Sequence, residues 1–245
     1  MDTMLNVEMR DYPWSRAYPL AKDVLARHGY KLGRCIGTGT FAQVFALDGE
    51  PDYVMKLTGD ATEAGVWRNI HERKVRSPGL PDVPCAFAID TGGYRPVLYA
   101  IITQRLDPLP NRERNWLNEN NVPDLVQAAG GQTHKMTRGE VGSYYTACKP
   151  LDGAPFIKCA YDTLVRSAQD VGIGRAEIDG LVDAYSKLRK AGIDFHDVHG
   201  GNVMRDPAFH GKKGALKFVD LGLAESPPTT VPLVNPRGQL RYPSK

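Results

Sequence analysis

Residues 30–57 constrain the fold of this 245-residue chain more than any other stretch. They read as three strands with only turn-length connections between them. Residues 30–36 form the first strand, Gly37, Thr38, Gly39 and Thr40 a turn, and residues 41–47 the second strand. Ala42, Val44 and Ala46 alternate with larger or polar neighbours, as a half-buried antiparallel strand requires. Asp48, Gly49, Glu50, Pro51 and Asp52 supply turn chemistry, and residues 53–57 form the third strand. A hairpin meander of this kind argues against a dinucleotide-binding fingerprint, which needs a helix directly after its glycines.

Helical periodicity follows. Asp60 or Thr62 can cap a helix over residues 61–76, with Glu63, Trp67, Ile70 and Lys74 along one face. Residues 97–103 supply a further apolar strand, and residues 104–110 carry the prolines of a linker. Breakers crowd residues 111–157, which are expected to be irregular with one or two short helices. Tyr161, Leu164, Val165 and Ala168 then mark one helix face, and Ile178, Leu181, Val182, Tyr185 and Leu188 the next, closed at Gly192. Ahead of the meander, a helix over residues 20–28 is expected to pack on the sheet. The overall expectation is an α+β chain.

Polar chemistry gathers in residues 195–204. Asp197, Asn202 five residues on, and Asp220 ahead of Gly222 form a set of hard oxygen ligands. Such a set can hold a hydroxyl and one or two magnesium ions around a phosphate chain. Glycines at 37 and 39 let backbone amides approach phosphate oxygens with no side chain in the way. Lys56, inside an apolar strand, must either snorkel outward or meet an anion, and the upstream glycine turn favours a phosphate.

Composition narrows the partners. A net charge of +3, spread along the chain, gives no footprint for nucleic acid. Arg112, Glu113 and Arg114 read as solvated surface. The longest apolar run, residues 97–103, is far too short for a bilayer, and residues 1–13 lack the apolar core of a signal peptide. Cys35, Cys85, Cys148 and Cys159 contain no CxxC pair, which argues against zinc and a disulfide framework and for reduced thiols in a cytoplasm.

In this order and spacing the chain resembles the protein-kinase-like fold. Residues 37–44 resemble the glycine-rich loop, with Ala42 where the third glycine usually stands. Residues 53–56 resemble the strand whose lysine binds phosphates, residues 197–202 the catalytic loop, and Asp220, Leu221 and Gly222 the metal-binding DFG signature. The resemblance implies a bilobal fold. Residues 1–29 would be an N-terminal extension and residues 30–103 an antiparallel-sheet N-lobe with one main helix. Residues 104–110 would be the hinge, and residues 111–245 a reduced, mainly helical C-lobe.

It also implies ATP and Mg2+ as cofactors and a role for each site residue. Asp197 would orient the attacking hydroxyl, Asn202 and Asp220 would hold metal, and Lys56 would hold the α- and β-phosphates. Gly37, Thr38, Gly39, Thr40, Phe41 and Val44 would cover the nucleotide, and Gln104 and Leu106 would line the adenine pocket. Glu63 is the preferred carboxylate partner of Lys56 because it shares the face of Trp67 and Ile70; Glu72, on roughly the opposite face, is the alternative.

Several residues depart from the regulated protein-kinase pattern. Phe195 and His196 replace the usual His-Arg pair before Asp197, and no APE-like motif follows Gly222. His199 stands where serine/threonine kinases carry lysine and where small-molecule kinases similar to aminoglycoside phosphotransferases often carry histidine. A looser resemblance, carried by the loop from Asp197 to Asn202 and by Gly79, Leu80 and Pro81, is to the minimal serine/threonine kinases of T-seven-type podoviruses. It implies a phage-encoded kinase of host proteins; the charge and apolar-run observations above argue for neither nucleic acid nor membrane as partner. A small-molecule kinase and a pseudokinase acting as a binding module are the alternatives.

Overall fold

The computed structural model describes residues 14–89, 98–120, 153–209, 211–212, 214–222, 224–229, 231, 233–234 and 240–241. The chain is mixed α+β and divides into two compact units. One comprises Met1–Lys74, Asp82–Arg105 and Gly222–Lys245; the other comprises Val75–Pro81 and Leu106–Leu221.

The N-terminal unit is built on the expected meander. Strands β1 (Leu32–Thr38), β2 (Ala42–Leu47) and β3 (Glu50–Thr58) pair antiparallel in sequence order. Strands β4 (Cys85–Ile89) and β5 (Leu98–Gln104) complete an antiparallel run in the order β1-β2-β3-β5-β4. Successive side chains point to opposite faces. On one face Phe45, Leu47, Met55, Leu57, Phe87 and Ile102 pack with Ala21, Val24 and Leu25 of α1 (Trp14–Arg27). Each large side chain fully buried there contributes about 1.5–3 kcal/mol. The opposite face carries Lys56, and its ion pair with Glu63 directs that face toward α2 (Ala61–Glu72).

Helix α2 starts where Asp60 accepts from the Thr62 and Glu63 amides at 2.8 and 3.1 Å, so Asp60 rather than Thr62 is the cap. It stops at Glu72, four residues short of the expected end, because Lys74 turns left-handed at φ +53°. Lys74 therefore does not continue the face of Glu63 and Trp67.

The segment after Gly222 joins this unit too. Strand β9 (Leu233–Val234) adds parallel to β4, and β10 (Leu240–Arg241) pairs with β9. The sequence-based boundary, which kept residues 111–245 together, differs from this arrangement.

The C-terminal unit holds β6 (Asp107–Pro108), β7 (Val203–Arg205) and β8 (Leu216–Phe218) with helices α3 (Asn111–Glu119), α4 (Gly153–Gln169) and α5 (Arg175–Lys190). Ala160, Leu164, Val165 and Ala168 of α4 and Ile178, Leu181, Ala184, Tyr185 and Leu188 of α5 are buried, close to the periodicity read from sequence. Val182 is only half-buried, and Ala184 takes its place in the core.

Residues 75–81 belong to this unit rather than merely ending α2. Gly79 accepts from the Phe218 amide at 3.0 Å, and a Cβ at Gly79 would lie 2.3 Å from the Gly180 carbonyl oxygen. Two glycines thus allow a backbone contact that no side chain would tolerate. The expectation for residues 121–152 lies outside the described residues; Asn111–Glu119 is a short helix of the kind expected within 111–157, and residues 153–157 already belong to the long helix Gly153–Gln169. Cys35 and Cys85 are free thiols, but Cys159 is disulfide-bonded, contrary to the expectation of four reduced cysteines.

Candidate functional site

In the N-terminal unit the register lines the candidate residues up across the sheet. Gly37 pairs with Val44, Val44 with Lys56 and Lys56 with Ile101, so these positions form one cross-strand row. Directly opposed residues of antiparallel strands project to the same face. Lys56 Nζ lies 2.5 Å from Glu63 Oε1, with side chains 15% and 2% exposed, and Trp67 Nε1 donates to the same oxygen at 3.4 Å. The pair is nearly dehydrated, where charge interactions are strongest and desolvation costs most. Glu72 is engaged elsewhere: it accepts from Arg68 at 2.7 Å and from Thr229 at 3.2 Å. Glu63, not Glu72, is therefore the partner of Lys56.

The glycine turn is held at its base and open at its tip. Gly39 donates to the Ala42 carbonyl at 2.8 Å, and the Phe41 carbonyl accepts from Gly59 N and Thr58 Oγ1 at 3.0 and 3.1 Å. Thr38, Gly39, Thr40 and Phe41 are exposed. Neither glycine has a positive φ. A Cβ at Gly37 would meet only Val44 atoms at 3.7 and 3.9 Å, and one at Gly39 only the Ala42 carbonyl at 3.8 Å. Packing does not demand glycine at either position, and the bare backbone leaves room for a ligand to approach.

In the C-terminal unit the segment before Asp197 alternates. Phe195 is fully buried edge-on to Phe218, with ring centroids 5.3 Å apart, and Val198 is buried; His196, Asp197 and His199 turn outward. Phe195 is thus a core residue, which accounts for an aromatic at that position. A single 3-10 turn, Gly200–Asn202, then brings Asn202 back onto Asp197. Asn202 Nδ2 donates to the Asp197 carbonyl at 2.9 Å and to Asp197 Oδ2 at 3.0 Å. Both amide hydrogens are thereby committed, which leaves Asn202 Oδ1 as the oxygen to meet a cation.

Asp220 comes close through the ladder. Val203 pairs with Phe218, Val219 N donates to the Asn202 carbonyl at 3.0 Å, and Asp220 follows, half-buried. Asn202 and Asp220 supply hard oxygens of the kind Mg2+ prefers, with phosphate and water completing the shell in such sites. Among the described residues no cluster of three or more His, Cys, Asp or Glu is gathered for a metal ion.

His199 accepts from the Gly201 amide through Nδ1 at 3.0 Å, and its Nε2 lies 3.5 Å from Asp197 Oδ2. With Nδ1 occupied as an acceptor, the neutral ring carries its proton on Nε2, facing the carboxylate.

Gln104 ends β5, its amide donating to the Asp82 carbonyl at 2.8 Å. Leu106 is half-buried, and the change from one unit to the other falls between Arg105 and Leu106, inside residues 104–110.

Sequence reading missed a buried ion triad. Arg205, on β7 three residues after Asn202, pairs with Glu113 of α3 at 2.5 Å and with Glu177 of α5. All three are at least nine-tenths buried, so Glu113 is not the solvated surface residue expected of it. Burial alone would lower the Arg205 pKa, but Glu113 and Glu177 outweigh it and the pKa rises. Glu177 also accepts from the Gly174 and Gly211 amides at 2.7 and 3.2 Å. The one sequence signal was Glu177 three residues after the glycine that opens α5, the spacing of a capping acid.

A second missed feature follows Gly222. Buried Asn69 of α2 donates through Nδ2 to Ser226 Oγ at 3.2 Å and to the Pro227 carbonyl at 2.6 Å. Residues 224–229 thereby border an open cavity of about 400 Å³ along α2. Among the described residues no helix is long and apolar enough to cross a membrane. No family model matches the chain, and no curated protein matches it.

Proposed function

We propose that the chain is an ATP- and Mg2+-dependent phosphotransferase, a serine/threonine protein kinase of reduced build that transfers the γ-phosphate to a protein hydroxyl. The observation that carries the reading is the row Gly37, Val44 and Lys56 on one sheet face, with Lys56 engaged by Glu63 at 2.5 Å. A lysine so fixed presents a cation at one point, where it grips phosphate oxygens without reorganising. The N-terminal unit would supply the phosphate grip. The C-terminal unit would supply the groups around the reacting hydroxyl.

Asp197, with Oδ2 tied to Asn202, would take the hydroxyl proton through its other oxygen, Oδ1. Asn202 and Asp220 would hold Mg2+, whose charge offsets that on the β- and γ-phosphates. Thr38, Thr40 and Phe41 would cover the phosphates, and Gln104 and Leu106 would contact the base.

His199 favours a second reading, a kinase of small molecules. Its ring is fixed by Gly201 and faces Asp197, where a protein kinase would present the lysine that accompanies its catalytic aspartate. Incubation with γ-labelled ATP, Mg2+ and a bacterial extract separates the readings. Label on serine or threonine of protein bands is the expected result. Label confined to small metabolites selects the second reading, and label in neither overturns phosphotransfer altogether.

A further inference from the structure

Helix α3 meets the turn that carries Asn202. Asn118 Oδ1 accepts from the Gly200 amide at 2.7 Å, across 82 residues of sequence. Gly200 is buried, and a Cβ there would lie 2.5 Å from the Arg114 carbonyl and 3.0 Å from Asn118 Oδ1. Arg114 and Asn118 are one helical turn apart, so a single face of α3 meets the backbone of Gly200. The Gly200 amide is the first of the 3-10 turn and lacks a partner within it. Asn118 supplies the acceptor that would otherwise be missing from a buried donor.

We propose that Asn118 is a positioning residue for phosphotransfer, acting through the Gly200 amide to hold the turn that sets Asn202 on Asp197. This rests on the phosphotransferase reading. Asn202 closes the turn from its own amide onto the His199 carbonyl at 2.9 Å and spends its side-chain amide on Asp197. The turn is therefore fixed at its exit by Asn202 and at its entrance by Asn118. The exit is held further by Arg205, anchored on Glu113 of the same helix. Without Asn118 the Gly200 amide must seek water, and the turn shifts outward with the metal-facing oxygen of Asn202.

Asn118→Ala and Asn118→Asp test this. Residue 118 is exposed, so truncation opens no core cavity, and alanine is the better helix former, so α3 is not weakened. Aspartate keeps the acceptor oxygen. The expected result for Asn118→Ala is a fall in kcat on the order of 10²-fold, with nucleotide KM changed less than about threefold. Asn118→Asp should recover most of kcat. In parallel, NMR-detected exchange of the Gly200 amide should accelerate in Asn118→Ala and stay protected in Asn118→Asp.

Wild-type kcat in Asn118→Ala, or an equal loss in both variants, overturns the assignment while leaving the phosphotransferase reading in place. Should the wild-type protein transfer no phosphate, the reading itself falls. The exchange measurement then still decides the seat: unchanged protection in Asn118→Ala overturns it.

Discussion

Consider Glu63→Gln and Lys56→Met, singly and together. Lys56→Met takes from the Glu63 carboxylate, 2% exposed, the ammonium it meets at 2.5 Å. Breaking a buried pair from one side costs about 3–5 kcal/mol. Glu63→Gln is milder, because the Lys56 side chain is 15% exposed and can straighten toward water; we expect about 1–3 kcal/mol. With both replaced no charge is stranded, and removing a whole buried pair is often neutral. The double variant should lie within about 1 kcal/mol of wild type, a coupling of at least about 3 kcal/mol. Urea unfolding with an unchanged m-value measures all four corners. The double variant, though stable, should transfer no phosphate, which separates what the pair does for folding from what it does for the reaction. Additive single costs, with coupling below about 0.5 kcal/mol, would show that the pair is not formed in solution.

Three further outcomes are expected. Arg205→Met removes the cation that Glu113 and Glu177 share and should destabilise the C-terminal unit by about 3–5 kcal/mol in chemical denaturation; a loss under about 1 kcal/mol refutes the buried triad. Asn69→Ala removes the bonds to Ser226 and Pro227, costs about 1 kcal/mol, and should speed proteolysis within residues 224–229; an unchanged cleavage pattern contradicts the tie. Burial, with the nearby Asp194 charge, pushes the Tyr185 phenol up to about 12. The folded pKa exceeds the unfolded one, so this contribution is complete below pH about 10 and is lost as pH rises through about 12. Tyr185→Phe should shift the alkaline unfolding midpoint upward, and an unmoved midpoint would assign alkaline unfolding to other groups.

The parts of the fold that were legible in sequence had a period. Strand β2 alternates along its sequence between turn-forming residues, and α4 and α5 repeat apolar residues at helical spacing because each helix buries one face. Glu63 was identifiable for the same reason: it shares the buried face of Trp67 and Ile70. The parts that were not legible depend on contacts distant in sequence. Strand β9 is two residues long and shows no period, so nothing announced that it adds to β4. Glu113 sits between two arginines and reads as surface; only Arg205, far along the chain, makes its burial tolerable. Gly79 reads as a helix stop, whereas its reason is the close approach of Gly180. Asn118 carries no signal at all, since an exposed asparagine near a helix end is ordinary until the amide it meets is known. Helix α2 ended early because Lys74 adopts a left-handed conformation that sequence assigns to glycine.

The role proposed for Asp197, held by Asn202, is to serve phosphotransfer from ATP. Single-turnover transfer of the γ-phosphate by wild type and Asp197→Asn, alongside nucleotide affinity measured with Mg2+, tests it most directly. Asparagine is isosteric but accepts no proton, so the account predicts transfer reduced by at least about 10²-fold with nucleotide affinity within a few-fold of wild type. Transfer at the wild-type rate in Asp197→Asn, with affinity intact, would contradict it.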